Sequence, residues 1–387
     1  MRFRDVEHQE RALSVVRRAL RSGRMPHAYL FEGPEGVGKE LTARALAARL
    51  LCEADVEPDA DACGTCRACR LVAGGNHPDL HVIERRLHKL HPDRAVRTSK
   101  GLFLAVDVIR HFLIEPAASK PSLGGRRVFV IREAERMNEG AQNALLKTLE
   151  EPPGQSCLIL VSAAAERLLP TIRSRCQRVP FGLLPPDFIE RHLVERGGVK
   201  VEAARALALL ADGRLGAAVQ WQRCGMLAAL DEVGASLDEL ESGGPSRFAE
   251  RLIESAGGLG LRSRGAEEPD EAEAGAAEDD GGGAEPAVSG AAKSLSTDEL
   301  RTALKLVFML VAMVYREALV VRAGVVGGAR LASQERRAAA LAGRQGVDEI
   351  EGCIRAVQHA ERLLDQNVAP VLVCERLAIG LLGEVPV

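Results

Sequence analysis

Short continuous apolar runs alternate with amphipathic stretches over residues 1–181, a pattern that predicts a parallel sheet flanked by helices. Ala28-Tyr29-Leu30-Phe31, Val128-Phe129-Val130-Ile131 and Leu158-Ile159-Leu160-Val161 have the length and composition of strands buried on both faces. The first is followed by a glycine-rich loop, after which Leu41, Ala45 and Ala48, with Leu46 and Leu50, recur at helical spacing. Between the other two a helix is predicted from Glu139 to Glu150, stopped by Pro152-Pro153. Beyond residue 182 the periodicity turns helical throughout. Leu183 to Trp221, entered through Pro185-Pro186 and containing an Ala203 to Leu210 helix that ends near Gly213, reads as a small helical lid. Residues 223–256, Thr297 to Val321 and Val347 to Leu382 read as long helices. Gly257 to Ala292 is Gly, Ala and acid, a composition that buries too little apolar surface to offset ordering entropy, so disorder is expected there. The expected domains are 1–182, with a metal-binding module at 52–69, a lid at 183–222, and a helical domain at 223–387 interrupted by an acidic insert at 257–293. No internal repeat is evident.

Composition narrows the class. No apolar run approaches the roughly 18 residues of a membrane span, and Met1-Arg2-Phe3-Arg4-Asp5 lacks the apolar core of a signal peptide, so a cytoplasmic, membrane-free protein is expected. The formal net charge of -3 hides an asymmetry. Gly265 to Ala292 holds nine Asp or Glu and no Lys or Arg, which leaves 51 basic against 45 acidic residues elsewhere. The remainder is therefore mildly basic, without a concentrated patch. With 3% aromatic residues, stacking platforms for single strands are scarce, which weighs against a stand-alone nucleic-acid binder.

Three motifs carry chemistry. Gly33-Pro34-Glu35-Gly36-Val37-Gly38-Lys39 matches G-x-x-x-x-G-K between a strand and a helix, where backbone amides, the helix dipole and Lys39 can cradle phosphates. The next position, which calls for Ser or Thr to ligate magnesium, is Glu40, and a carboxylate there repels phosphate. At the end of the Val128 strand, where the fold places a magnesium-binding Asp before a water-polarising Glu, stand Arg132 and Glu133. Both magnesium-side groups are lost, so hydrolysis is not expected, and the loop either binds ATP or ADP or keeps the fold without nucleotide. Cys52, Cys63, Cys66 and Cys69 supply four thiols at short spacing, with two nested C-x-x-C pairs. That set suits a closed, structural zinc site; His77 and His81 are rival ligands nearby, and four reduced loop cysteines are the plainer alternative. Finally, Ser174-Arg175-Cys176 ends the first domain, where an arginine either is a solvated charge or salt-bridge partner or reaches a neighbouring subunit's nucleotide.

Taken together, these stretches resemble the clamp-loader branch of the AAA+ superfamily, and within it the delta-prime branch. The resemblance rests on His27 to Phe31, the glycine loop, the cysteine cluster, Asn76-His77-Pro78-Asp79-Leu80, Asn143 to Pro153 with its Glu150-Glu151-Pro152-Pro153 ending, and Leu169 to Cys176. It is close over residues 1–181 and looser beyond, where Asn367-Val368-Ala369-Pro370 is the familiar segment. It implies an α/β P-loop (AAA+) domain with a parallel sheet, a helical lid and an all-α collar. It further implies a hetero-pentamer with gamma/tau and delta types of subunit that acts on a sliding clamp and primed DNA. In that setting Arg175 is an arginine finger offered to a neighbouring ATPase, Gly33, Gly36, Gly38, Lys39 and Glu133 are a nucleotide pocket that has decayed, and Ser162 lies near the nucleotide sensor. The alternatives are a gamma/tau-type motor ATPase, which calls for Ser or Thr at 40 and Asp at 132, and a zinc-bearing DNA-binding protein using the fold as scaffold.

Overall fold

The computed structural model describes residues 2–99, 101–123, 125–266, 295–325 and 331–383, and they divide into two compact units. The first comprises residues 1–185 with 212–216, the second 186–211 with 217–387.

In the first unit five parallel strands, β1 (Ala28–Glu32), β2 (Leu80–Ile83), β3 (Arg127–Ile131), β4 (Ser156–Ser162) and β5 (Gln177–Pro180), stand in the order β2-β3-β4-β1-β5. The three central strands are the continuous apolar runs, and the reason is visible in their alternation. Tyr29, Phe31, Val128, Val130, Ile159 and Val161 enter the core on one face, while Leu30, Phe129, Ile131, Leu158 and Leu160 enter that on the other. Helices α1 (Glu10–Ser22) and α2 (Lys39–Leu51) contribute Leu13, Val16, Ala43 and Leu46 to the first core. Helix α3 (Glu139–Glu150), capped by the Asn138 side chain accepting from Ala141 N–H, sends Leu145 and Leu149 into the second. The edge strands β2 and β5 do not announce themselves as long apolar runs, because each has one partner and four residues, interrupted by His81 in β2 and mostly polar and exposed in β5.

A buried ion pair explains the Asn76 to Leu80 segment. Asp79 is fully buried and accepts from the N–H groups of Ser122 and Leu123 at 2.7 and 2.9 Å, with the Arg127 guanidinium 3.6 Å away. Arg127 in turn donates to the carbonyls of Pro116, Ser119 and Lys120, so one pair fixes the connection that leads into β3.

The second unit is helical. Its centre is α4 (Thr297–Arg322), opened by a reciprocal cap in which Glu299 accepts from Ser296 N–H at 2.8 Å and Ser296 accepts from Glu299 N–H at 3.3 Å. Leu304, Val307, Phe308, Val311 and Val314 on this helix are buried. Three sequence expectations need correction here. Residues 223–256 are not one helix: breaks fall at Gly225, in left-handed conformation, and at Gly244-Pro245. The stretch Val347 to Leu382 is two helices, Val347–Asp365 and Pro370–Leu381, because Asn367 takes φ 64° and Pro370 starts a new first turn. Arg301 locks that break by donating to the Asn367 side chain at 2.8 Å and to its carbonyl at 3.1 Å.

Disorder does not begin at Gly257 either, since the helix continues to Ala266. Ala256 and Leu259 are fully buried, and a Cβ on Gly260 would lie 2.6 Å from Leu295 and 3.5 Å from Ala303, so the glycines serve close packing there. The rest of the expected acidic insert, 267–293, lies outside the described residues. Among the described residues no helix is long and apolar enough to cross a membrane.

Candidate functional site

The glycine loop follows β1 and hands over to α2 through Gly38, whose φ of 103° a side chain would strain. Gly33 is equally constrained: a Cβ there would sit 2.3 Å from the Phe181 carbonyl oxygen. The loop is bonded to its own chain at several points. Lys39 is buried and its Nζ donates to the carbonyls of Gly33, at 2.6 Å, and Pro34. Burial pushes the Lys39 ammonium below its ordinary pKa, while the carboxylates of Glu135 and Glu35 pull it partly back. Gln9, itself buried, donates to the carbonyls of Val37 and Gly182 and accepts from Gly182 N–H. The Gly36 carbonyl accepts from Gly216 N–H at 2.9 Å, and Gly216 lies so close that a Cβ would approach Gly36 Cα to 2.8 Å.

The two departures from the magnesium-binding pattern meet each other. Arg132 Nε lies 3.0 Å from Glu40 Oε2 and its Nη1 2.6 Å from Glu84 Oε2; Arg44 pairs with the other Glu40 oxygen at 2.6 Å. The carboxylate read from sequence as repelling phosphate is thus neutralised by two guanidinium groups. Glu133 keeps the expected place after β3 but is engaged by Arg85 through both oxygens, at 2.8 and 3.2 Å, and sits in left-handed conformation at φ 47°. Ser162, at the end of β4 and buried, accepts from Ala164 N–H at 3.2 Å. Glu84, Arg85, Gln9 and Gly216 escaped the sequence reading because they come from distant segments. Arg44, four residues after Glu40 on the same helix, could have been found by its spacing.

The four cysteines converge. Their sulfurs all lie within 4.8 Å of one another, and among the described residues they form the one group of three or more side chains able to hold a metal ion. Cys63 and Cys69 sulfurs stand 3.9 Å apart, close to the roughly 3.8 Å edge of a tetrahedron built on Zn–S distances of about 2.3 Å. Nested N–H groups point at the sulfurs: those of Thr65 and Cys66 at Cys63, that of Cys69 at Cys66, and that of Cys63 at Cys52. The bonds from Cys66 and Thr65 pull the Cys63 thiol down to about 6, whereas burial pushes Cys69 up to about 12. His77 and His81 do not join them. His77 Nδ1 accepts from Asp79 N–H, and His81 stacks on Phe129 with ring centroids 4.9 Å apart.

Arg175 is the last residue of α5 (Pro170–Arg175), on the opposite face of the sheet from the cysteines. Its guanidinium donates to Thr171 carbonyl at 3.0 Å and to Glu150 at 2.6 Å. Neither partner is the chain's own glycine loop.

A family model described as DNA polymerase III, delta subunit, matches residues 8–184. The delta' subunit of Pseudomonas aeruginosa DNA polymerase III is 45% identical over 150 residues, covering 39% of this chain and 41% of that protein. The Bacillus subtilis delta' subunit is 36% identical over 203 residues, 52% of this chain and 56% of that protein. Over residues 8–184 the chain is thus similar to DNA polymerase III delta' subunits. It spans about half the length of these relatives. The gamma/tau subunit of Mycobacterium tuberculosis is also similar, 38% identical over 205 residues, covering 52% of this chain and 33% of that protein. Among solved structures, a DNA polymerase III gamma subunit-related protein from Thermotoga maritima overlays at TM-score 0.42 and 16% identity, covering 96% of this chain and 98% of that one.

Proposed function

We propose that the chain is a delta'-type stator of a bacterial clamp loader, which assembles with gamma/tau and delta types of subunit to place a sliding clamp on primed DNA. It offers Arg175 to a neighbour's nucleotide and performs no hydrolysis of its own. The observation that carries this reading is the Glu40–Arg132 ion pair at 3.0 Å, which fills with opposite charges the two positions a motor needs for magnesium. The gamma/tau-type motor is disfavoured for that reason, and likewise because Arg85 already holds Glu133. In this reading residues 183–222 act as lid and 223–387 as collar. The four thiolates are proposed to hold zinc, which would tie the segment after α2 to the face of the sheet; a closed donor set leaves no position for catalysis.

The test is to incubate the isolated, zinc-loaded chain with magnesium-ATP and to weigh its assembly with gamma/tau and delta subunits by native mass spectrometry. Background-level turnover together with incorporation into a hetero-oligomer is expected. Clear turnover by the chain alone would overturn the stator reading in favour of the motor, and failure to assemble would favour a stand-alone protein.

A further inference from the structure

Glu150 stands where local preference does not want it. It is the last residue of α3, at the negative end of the helix dipole, which disfavours a carboxylate. Its partner is Arg175, 2.6 Å away. The two helices are also tied at their other ends, where the Leu169 N–H at the start of α5 donates to the Gln142 side chain at 2.7 Å. Ile172 and Cys176, on either side of Arg175, are buried in the same core as Leu145 and Leu149. The backbone that carries Arg175 is therefore anchored, and the freedom left to it is that of a long, rotamer-rich side chain. That freedom is restrained by Glu150 from one side and the Thr171 carbonyl from the other, with about a third of the side chain exposed and part of its donor fork unused among the described residues.

We infer that Glu150 is a positioning residue for Arg175, holding the guanidinium in the pose from which it meets an anionic phosphate on an adjacent subunit. This rests on the proposed role of Arg175 in trans. A pre-aimed cation stabilises developing charge without first being ordered, so the restraint acts on turnover rather than on nucleotide affinity.

The experiment uses the reconstituted complex with clamp and primed DNA, and compares Glu150→Ala, Glu150→Gln, Arg175→Ala and the double variant Glu150→Ala/Arg175→Ala. The Arg175-dependent share of ATPase is the difference between the unmodified complex and the Arg175→Ala complex. In Glu150→Ala that share is expected to fall roughly tenfold, with KM for ATP and native mass unchanged. Glu150→Gln, which keeps an acceptor oxygen, should retain more of it, and the double variant should be no worse than Arg175→Ala alone. If Arg175→Ala lowers turnover and Glu150→Ala does not, or if the two losses add, the positioning role is overturned while the finger stands. If Arg175→Ala is silent, the finger reading itself fails.

Discussion

Asp79 is a fully buried carboxylate held by two backbone N–H groups and Arg127. Burial alone would push its pKa up, but the N–H groups of Leu123 and Ser122 and the Arg127 guanidinium hold it below the ordinary carboxylate value. A depressed folded-state pKa means that its stabilisation is present above the unfolded value of about 3.9 and is lost as pH falls below it. Asp79→Ala should cost about 3–5 kcal/mol, because it leaves Arg127 buried without its counter-charge. Urea unfolding at pH 7 measures this, and the gap between variant and parent should narrow when the titration is repeated below pH 4. At the same scale, the purified protein should carry about one zinc per chain, and Cys66→Ser should lose it and loosen the segment around α2. Metal analysis under reducing conditions, without chelator, checks the content. The cysteine set was legible because spacing alone brings thiols together. The pairings of Arg85 and Glu84 were not, because their partners lie 48 residues further along the chain and only the parallel sheet aligns them.

At the scale of elements, the glycine loop is tied to its own chain by Lys39, Gln9 and Gly216. Gly33→Ala should destabilise the chain by about 1–3 kcal/mol, since the added Cβ would overlap the Phe181 carbonyl, and thermal unfolding measures the loss. The Glu40–Arg132 pair ties the first turn of α2 to the end of β3, and its charges are interdependent. Arg132→Ala and Glu40→Ala should each cost up to about 1 kcal/mol, with a double variant cheaper than their sum, because the pair is partly exposed. Strictly additive losses would show that the pair contributes nothing. Glu40→Thr combined with Arg132→Asp should restore a magnesium-dependent stabilisation by ATP that neither single change restores. Strands β1, β3 and β4 and helix α3 were readable because strands covered on both faces must be apolar throughout and because Pro152-Pro153 stops the helix. The missed features follow different physics. Edge strands are stabilised by one neighbour's backbone and need no apolar run, and the turn signals at Gly244-Pro245 and Asn367 to Pro370 were outweighed by the strong helical periodicity around them.

At the scale of the whole molecule, the glycine loop and Arg175 are held by different partners. The glycine loop is bonded by Lys39, Gln9 and Gly216, while Arg175 ends α5, whose Ile172 packs on the other face of the sheet, and pairs with Glu150. The measurement that tests this most directly is the clamp-stimulated ATPase of the reconstituted complex carrying Arg175→Ala or Lys39→Ala in this chain alone. Arg175→Ala should leave zinc content, folding and assembly intact and reduce turnover partially, because other subunit borders keep their own arginines, while Lys39→Ala that still assembles should have a much smaller effect on rate. Loss of activity in Lys39→Ala with none in Arg175→Ala would reverse the roles and make this chain a motor.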